Sequence, residues 1–500
     1  MGNNVRTALP DDAASGHFHR HHKDEDYFVS ISAQNSAGAE APVGPGGRCG
    51  AGRADERDRS GTAGAHDEPG GPRAQEPALL QALAGRRPAR TPVWFMRQAG
   101  RSLPEYRALR ERAGASMLDV CLWPQAAAQA TLQPVRRHGV DAAVLFSDIM
   151  VPLRLAGVEV RIEPGVGPVL DAPVRDAAQV ARVVARRFGD AERAGTGADG
   201  GALDGAAGAA AVEAAVRAVV AELGSPGHAG RHADHGARPG ADPEARGDDA
   251  GGWSTLTPRA RAGLAQSRGE AAWTPLLGFG GAPFTLVAYL AEGRPSRDHL
   301  AARTLMHADP AAWDALMTWA AHLTGAFMAT QVRAGAAAVQ LFDSWAGSLP
   351  AVDYREKVAP YSALALDLAR DAVSATTGRP AAAIHFATRA EHLLPELHRT
   401  GADVVGVDEC SDLGEASRWL GDRPVQGNLN PALLGAPWEV LARGVDACLE
   451  AGRAAPAHVF NLGHGVPPTS DPDVLTRVVA RVHGSTDWED AALAGWDGEA

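Results

Sequence analysis

PAAWDALMTWAAHLTGAFMATQVRAGAAAVQLFDS, Pro310 to Ser344, sets two periodicities end to end. In its first part Trp313, Leu316, Met317, Ala320, Leu323, Thr324 and Phe327 recur every three or four residues, the spacing of a buried helix face, and predict a helix over Pro310 to Ala334. Its last part, AAVQLFDS from Ala337 to Ser344, is a short apolar run ending in polar residues, as a strand buried on both faces does. Seven more runs of this kind flank it: TPVWFM (91–96), AAVLFSD (142–148), TPLLGFGG (274–281), AAAIHFA (381–387), DVVGVD (403–408), PVQGNL (424–429) and HVFNLGHG (458–465). Amphipathic stretches lie between them, and strict alternation of strand and helix implies a parallel sheet with right-handed crossovers. Eight such units predict an α/β fold closed as a (β/α)8 TIM barrel; the pattern alone leaves a doubly wound open sheet as the alternative.

Outside this pattern the composition changes. Residues 1–76 are rich in Gly, Ala, Asp and Arg without apolar periodicity and read as a disordered N-terminal tail, with 77–485 as the folded unit and 486–500 as a C-terminal tail. Val158 to Asp171, VEVRIEPGVGPVLD, reads as a hairpin beyond the second strand, with its turn at Pro164 to Gly167. Two low-complexity blocks, 189–207 and 225–271, flank an Ala-rich amphipathic helix from Ala209 to Leu223. Both read as surface insertions, because neither carries enough apolar area to offset its ordering entropy.

The 500 residues are 45% hydrophobic and carry a formal net charge of -12, which disfavours nucleic acid and anionic membranes as partners. The same charge repels a polyanionic ligand, so any anion site must be a local concentration of Arg and His. No apolar run is long enough to span a bilayer, and Asp11, Asp12, Asp24, Glu25 and Asp26 argue against a transit peptide. Cys49, Cys121, Cys410 and Cys448 stand far apart with no CxxC pair, as in a cytoplasmic protein without a zinc or disulfide framework. His17, His19, His21 and His22 lie among charges without a carboxylate or thiolate scaffold and read as solvated tail rather than a metal site.

In a barrel, the carboxyl ends of the strands converge on one mouth, so polar residues there are the functional candidates. The first run opens into Arg97 and Arg101, four residues apart and on one face if a helical turn follows. Two guanidinium forks beside exposed turn amides suit a ligand with several carboxylates; a pair of structural salt bridges is the plain alternative. The second run delivers Asp148, the fourth Phe342 and Ser344, and the eighth His464 between two glycines. Tyr289 follows the third, in the helix start after the tight turn at Gly280, Gly281 and Pro283. Taken singly, Asp148 and Ser344 also suit helix caps, Tyr289 a packed ring, and His464 a structural hydrogen bonder.

PVWFMRQAGR, LFSD, GFGGAPFTLVAYLAEG, QLFDSWAG, VQGNLNP and FNLGHGVPP, in that order on one chain, closely resemble the motifs of the uroporphyrinogen decarboxylases. The resemblance implies a homodimer of barrels acting without metal or organic cofactor in porphyrin (heme) biosynthesis. It implies loss of CO2 from the four acetate side chains of uroporphyrinogen III to give coproporphyrinogen III. Carried over residue by residue, it has Arg97, the backbone of Gln98, Ala99 and Gly100, and Arg101 bind the substrate's carboxylates. Asp148 takes the pyrrole NH groups at the centre of the macrocycle, and Tyr289, Ser344 and His464 complete the pocket.

Such a reaction needs an electron sink, which protonation of the pyrrole at a ring carbon supplies by making the ring cationic. An ionised Asp148 beneath the ring stabilises that charge, and Arg97 orients the reacting carboxylate. Arginine gives up a proton too reluctantly to be the favoured donor, which leaves a substrate-bound water or a substrate acid as the alternative. The chain departs from the family at Ala387 to Ala390, where a glycine-rich loop is expected, at Glu409 and Cys410 in place of Trp-Arg, and at Asn430 in place of Asp. Arg389, within the first departure, is a candidate for one more carboxylate contact. Two rival readings are a cobamide-linked methyltransferase, which needs thiolate and imidazole zinc ligands that no HxC pair supplies, and a noncatalytic tetrapyrrole carrier, in which a buried Asp148 has little use.

Overall fold

The computed structural model describes residues 76–226, 228–229 and 273–484. The expected tails at 1–76 and 486–500, apart from Glu76, together with the histidine cluster and most of the 225–271 block, lie outside the described residues.

Seven parallel strands form one sheet in chain order: β1 (Ala143–Val144), β2 (Leu276–Gly281), β3 (Ala338–Asp343), β4 (Ala382–Ala387), β5 (Val404–Gly406), β6 (Val425–Leu429) and β7 (His458–Leu462). Each lies within one of the predicted runs. The remaining run, 91–96, contributes only a bridge between Val93 and Phe460 rather than a strand. The reason is local. Phe460 donates to the Pro92 carbonyl (2.9 Å), but the amides of Val93 and Met96 go to side chains instead of a neighbouring strand, the carboxylate of Asp141 (2.8 Å) and the amide oxygen of Asn461 (3.1 Å). On its other side the run accepts the Asp141 amide at the Val93 carbonyl (2.8 Å), just ahead of β1.

The sheet curls. In its interior the Trp94 indole donates to Gln426 (3.1 Å), and Gln426 donates to Gln340 (2.8 Å). Gln340 and Gln426 sit on β3 and β6, which a flat sheet would hold roughly 14 Å apart at about 4.8 Å per strand. A 2.8 Å contact between them requires the strands to wrap round a common centre.

The helix Pro310–Ala334 occupies the predicted span, with its seven predicted face residues buried. It starts where the Asp309 carboxylate caps the Ala312 amide (3.0 Å) ahead of Pro310, and ends at Gly335, whose φ of 132° no side chain tolerates well. Burying each large apolar side chain on this face contributes roughly 1.5–3 kcal/mol. The helix lies unusually near β2 because Gly278 and Gly280 face it: a Cβ at Gly280 would come within 2.4 Å of the Thr324 hydroxyl. Gln331 then reaches the strand itself, bonding both the amide (2.9 Å) and the carbonyl (2.8 Å) of Phe279.

The predicted hairpin pairs Arg161–Glu163 with Gly167–Val169, and the predicted Ala-rich helix runs from Gly205 to Leu223. The 189–207 block departs from the expected loose surface segment. Gly195–Thr196 pairs with Ala202–Leu203, Ala191 and Ala194 are buried, and Thr196 takes hydrogen bonds from the Trp123 indole (2.5 Å) and gives one to Asp119 (3.2 Å). Its small residues allow this: a Cβ at Gly205 would overlap the Leu155 carbonyl at 2.5 Å, so the segment packs by close backbone approach rather than by apolar side chains.

Two histidines far from the mouth give the fold an acid limit. Burial pushes His138 down to about 3 and His458 to about 4, while each donates or accepts within the core, His138 at Thr476 (2.8 Å) and His458 at the Gly427 carbonyl (2.6 Å). Above the ordinary histidine value of about 6.5 both states are neutral and no stability depends on pH. Below it the unfolded chain binds protons that the native chain refuses, so urea unfolding free energy is expected to fall as pH drops from about 6.5 towards 4, by up to roughly 1.4 kcal/mol per pH unit for each histidine. A profile that stays flat across that window would contradict the neutral burial of both rings.

Candidate active site

The carboxyl ends of the strands surround a cavity of about 320 Å³. Its floor is aromatic: Phe279 on β2, Phe342 on β3 and Phe386 on β4 occupy neighbouring strands and meet edge to face, with centroids 5.5 and 6.1 Å apart. Its cationic side comes from the turn after the first run. Arg97, Gln98, Ala99, Gly100 and Arg101 all line the cavity.

The turn is not the helical one expected: the next helix begins only at Pro104, and Arg97 itself adopts a left-handed φ of 61°. Gln98 explains the difference. Its buried carboxamide accepts from the Phe95 amide (3.0 Å) and donates to the Ala142 carbonyl (3.0 Å), pinning the turn to the start of β1. The Gln98 amide is spent on the Phe95 carbonyl (3.1 Å), whereas the amides of Ala99 and Gly100 have no acceptor among the described residues. The arrangement offers two guanidinium groups and two backbone donors to an anion.

Opposite the Arg97 side chain runs the loop after β7. A Cβ at Gly465 would fall 2.4 Å from the Arg97 Cδ, so only a glycine after His464 lets the arginine lie across that backbone. A Cβ at Gly463 would likewise fall 2.1 Å from the backbone nitrogen of Glu409. His464 lines the cavity between them and titrates near 4, pushed down by burial and then by the positive charges of Arg97 and Arg389. At neutral pH its imidazole is therefore uncharged in the substrate-free site and can either donate or accept.

Ser344 lines the cavity, and its carbonyl accepts from the Thr388 hydroxyl (2.6 Å), joining the loops after β3 and β4. Asp148 is 1% exposed and lies between the lining residues Ser147 and Ile149 without itself forming the cavity surface. One of its oxygens accepts from the Met150 amide (2.7 Å), two residues on. Tyr289 sits in the seventh position of the helix Pro283–Glu292, not at its start, and is fully buried. It stacks on Trp345, with centroids 4.0 Å apart, behind the cavity. Seven of the nine expected residues thus share one cavity surface, and Asp148 and Tyr289 stand behind it. Sequence reading passed over Ser147, Thr388, Phe279 and Phe386, which also line it. Phe386 was legible in principle, since it sits in register with Phe342 on the adjacent strand. Among the described residues no group of three or more His, Cys, Asp or Glu is arranged to hold a metal.

A protein-family model described as uroporphyrinogen decarboxylase matches residues 74–196 and 264–485. The chain belongs to the uroporphyrinogen decarboxylase family. It is 50% identical over 416 residues to the uroporphyrinogen decarboxylase of Leifsonia xyli subsp. xyli, covering 81% of this chain and 94% of that one. To the enzyme of the same name from Arthrobacter sp. it is 48% identical over 412 residues, covering 82% and 98%. Among solved structures, a methyltransferase from Methanosarcina mazei superposes with a TM-score of 0.55 over 81% of this chain and 97% of that one; at 15% identity this likeness concerns the fold alone.

The three departures from the uroporphyrinogen decarboxylase motifs have distinct local settings. Asn430 caps the following turn by accepting from the Ala432 amide (2.9 Å), a task asparagine and aspartate share. Ala387 and Ala390 are buried around the loop bearing Arg389, whose φ is 53°. Glu409 is held partly buried against Gly463, and burial, reinforced by the charge of Asp408, raises its carboxyl above the usual range.

Replacing Gly465 with alanine is expected to push the Arg97 side chain aside without touching the core. A misplacement of about 1 Å at such a site costs roughly a hundredfold in rate. Steady-state kcat/KM with uroporphyrinogen III should therefore fall by about one to two orders of magnitude while the thermal midpoint stays close to that of the parent chain. Parent-like kcat/KM in Gly465→Ala would show that this close approach is incidental.

Proposed function

We propose that the chain removes CO2 from the four acetate side chains of uroporphyrinogen III, giving coproporphyrinogen III, within a closed eight-stave barrel. The observation that carries this reading is a cavity in which Arg97, Arg101 and the free amides of Ala99 and Gly100 face an apolar ring floor, with one buried carboxylate, Asp148, behind it. Its guest is anionic at the perimeter and NH-rich within, the chemistry of a polycarboxylate tetrapyrrole. Barrel closure is supported by the hydrogen bonds of the 92–96 run to Phe460 on one side and Asp141 on the other.

Each cycle consumes one proton and releases one CO2 per acetate. Protonation of a pyrrole carbon makes the ring cationic; the C–C bond to the carboxylate then breaks, and its electron pair flows into the ring. Protonation of the resulting exocyclic methylene and loss of the ring proton leave a methyl group. Asp148, as a carboxylate turned towards the ring NH groups, lowers the energy of the cationic stage, and removing such a partner costs roughly a hundredfold or more in rate. Arg97 and Arg101 hold the carboxylates and orient the one that leaves. Neutral His464 and the Ser344 hydroxyl complete the hydrogen bonding to acidic side chains, and Tyr289, through its stack on Trp345, backs the wall. The reading makes the protein a cytoplasmic homodimer whose catalytic unit is 77–485, with no helix among the described residues long and apolar enough to cross a membrane.

Anaerobic incubation with uroporphyrinogen III, followed by oxidation and chromatography, should show products with seven, six, five and finally four carboxyl groups. Only eight-carboxyl material after prolonged incubation would defeat the assignment. Asp148→Asn is expected to lower kcat by about two orders of magnitude or more with little change in KM, since a ring-cation partner acts in the transition state rather than in binding. Removal of residues 1–73, which precede the matched region, should leave turnover unchanged.

A further inference from the structure

We propose that Arg389 is a third carboxylate-binding guanidinium of the mouth, facing the Arg97–Arg101 turn from the far side and positioning the substrate's perimeter. This rests on the polycarboxylate reading above and deepens it. Around the curled sheet, the 92–96 run and β4 are separated by β1, β2 and β3 in one direction and by β5, β6 and β7 in the other. Cations on the first run and on the loop after β4 therefore stand on opposite sides. A guest with carboxylates all round its rim needs that arrangement, because charges on one side alone leave it free to tilt.

The loop is built to present this residue. Arg389 adopts a left-handed φ of 53°, which a side-chain-bearing residue takes only when its surroundings impose it. They do so here at three points. The Arg389 amide donates to the Asp408 carboxylate, which is itself buried and accepts from the Ser411 hydroxyl (2.8 Å). Thr388, which lines the cavity, donates to the Ser344 carbonyl (2.6 Å). Gly347 lets the loop come so near that a Cβ there would lie 2.4 Å from the Arg389 carbonyl.

The backbone amide is thus engaged while the side chain is not. The Arg389 guanidinium is exposed and has no hydrogen bond or ion pair among the described residues. Glu409 and Cys410 feel its charge but do not bond to it, and so does His464 inside the cavity. A rigid loop holding an uncommitted cation beside a carboxylate-binding pocket is a receptor element rather than a structural one.

The decisive variant is Arg389→Gly, because glycine adopts the left-handed conformation without cost and removes only the side chain. The thermal midpoint should stay or rise, and KM for uroporphyrinogen III should increase roughly five- to tenfold with a smaller change in kcat. Arg389→Lys, which keeps the charge and loses the fork, should recover part of that loss. In the substrate-free protein, the His464 imidazole, titrated by NMR, should move up from about 4 in Arg389→Gly. An unchanged KM in Arg389→Gly, or a His464 titration that does not move, overturns the proposal. If the parent chain shows no decarboxylation, that failure belongs to the functional reading. Anaerobic equilibrium binding of uroporphyrinogen III to parent and Arg389→Gly then still decides the role of Arg389, equal affinities counting against it.

Discussion

The two hydrogen bonds of the Gln98 carboxamide are the constraint on which the site depends. They tie a left-handed turn between the first run and β1, and that turn is what carries Arg97 and Arg101 into the cavity. Buried and doubly bonded, the side chain satisfies an amide and a carbonyl that the sheet leaves over at this point, each of which would otherwise cost about 1–3 kcal/mol. The missing strand and the anion site are therefore linked: side chains take over part of the run's pairing, and the following residues turn inward. Asp141 and Asn461 complete the same bargain at Val93 and Met96.

Electrostatics explains why so much scaffolding surrounds so few cations. A chain with a net charge of -12 repels an octacarboxylate at long range, so capture relies on short-range contacts held in fixed geometry. Laying Arg97 across Gly465 lowers the ordering cost that a flexible side chain would bring to binding. Burial, reinforced by the charges of Arg97 and Arg389, keeps His464 neutral, so the pocket gains a versatile hydrogen bonder instead of a further positive charge.

Periodicity located the seven strands of the sheet and the long helix Pro310–Ala334, turn residues marked the hairpin at Arg161–Glu163 and Gly167–Val169, and strand-end position picked out Arg97, Arg101, Phe342, Ser344 and His464, whereas Gln98, Ala99 and Gly100 came from the family resemblance. What it missed was set by contacts distant in sequence. The left-handed conformations of Arg97 and Arg389 are imposed by Ala142 and Asp408, neither of which any local pattern links to them. The 189–207 block looked too poor in apolar side chains to pack, yet small residues let its backbone press on Leu155 and bond to Asp119. Tyr289 was placed by its nearness to a glycine turn, whereas helix geometry carries it two turns away, behind Trp345. Asp148 does not cap the helix that follows, whose N-cap is Met150; it accepts from the Met150 amide and lies one residue from the cavity wall.

The three phenyl rings beneath the mouth have a mechanical consequence. Each meets the next edge-on across adjacent, hydrogen-bonded strands, so none can swing without driving its neighbour into the wall. Such a platform does not yield to what lands on it. Any adjustment of shape on binding is then left to the guest rather than to the floor beneath it.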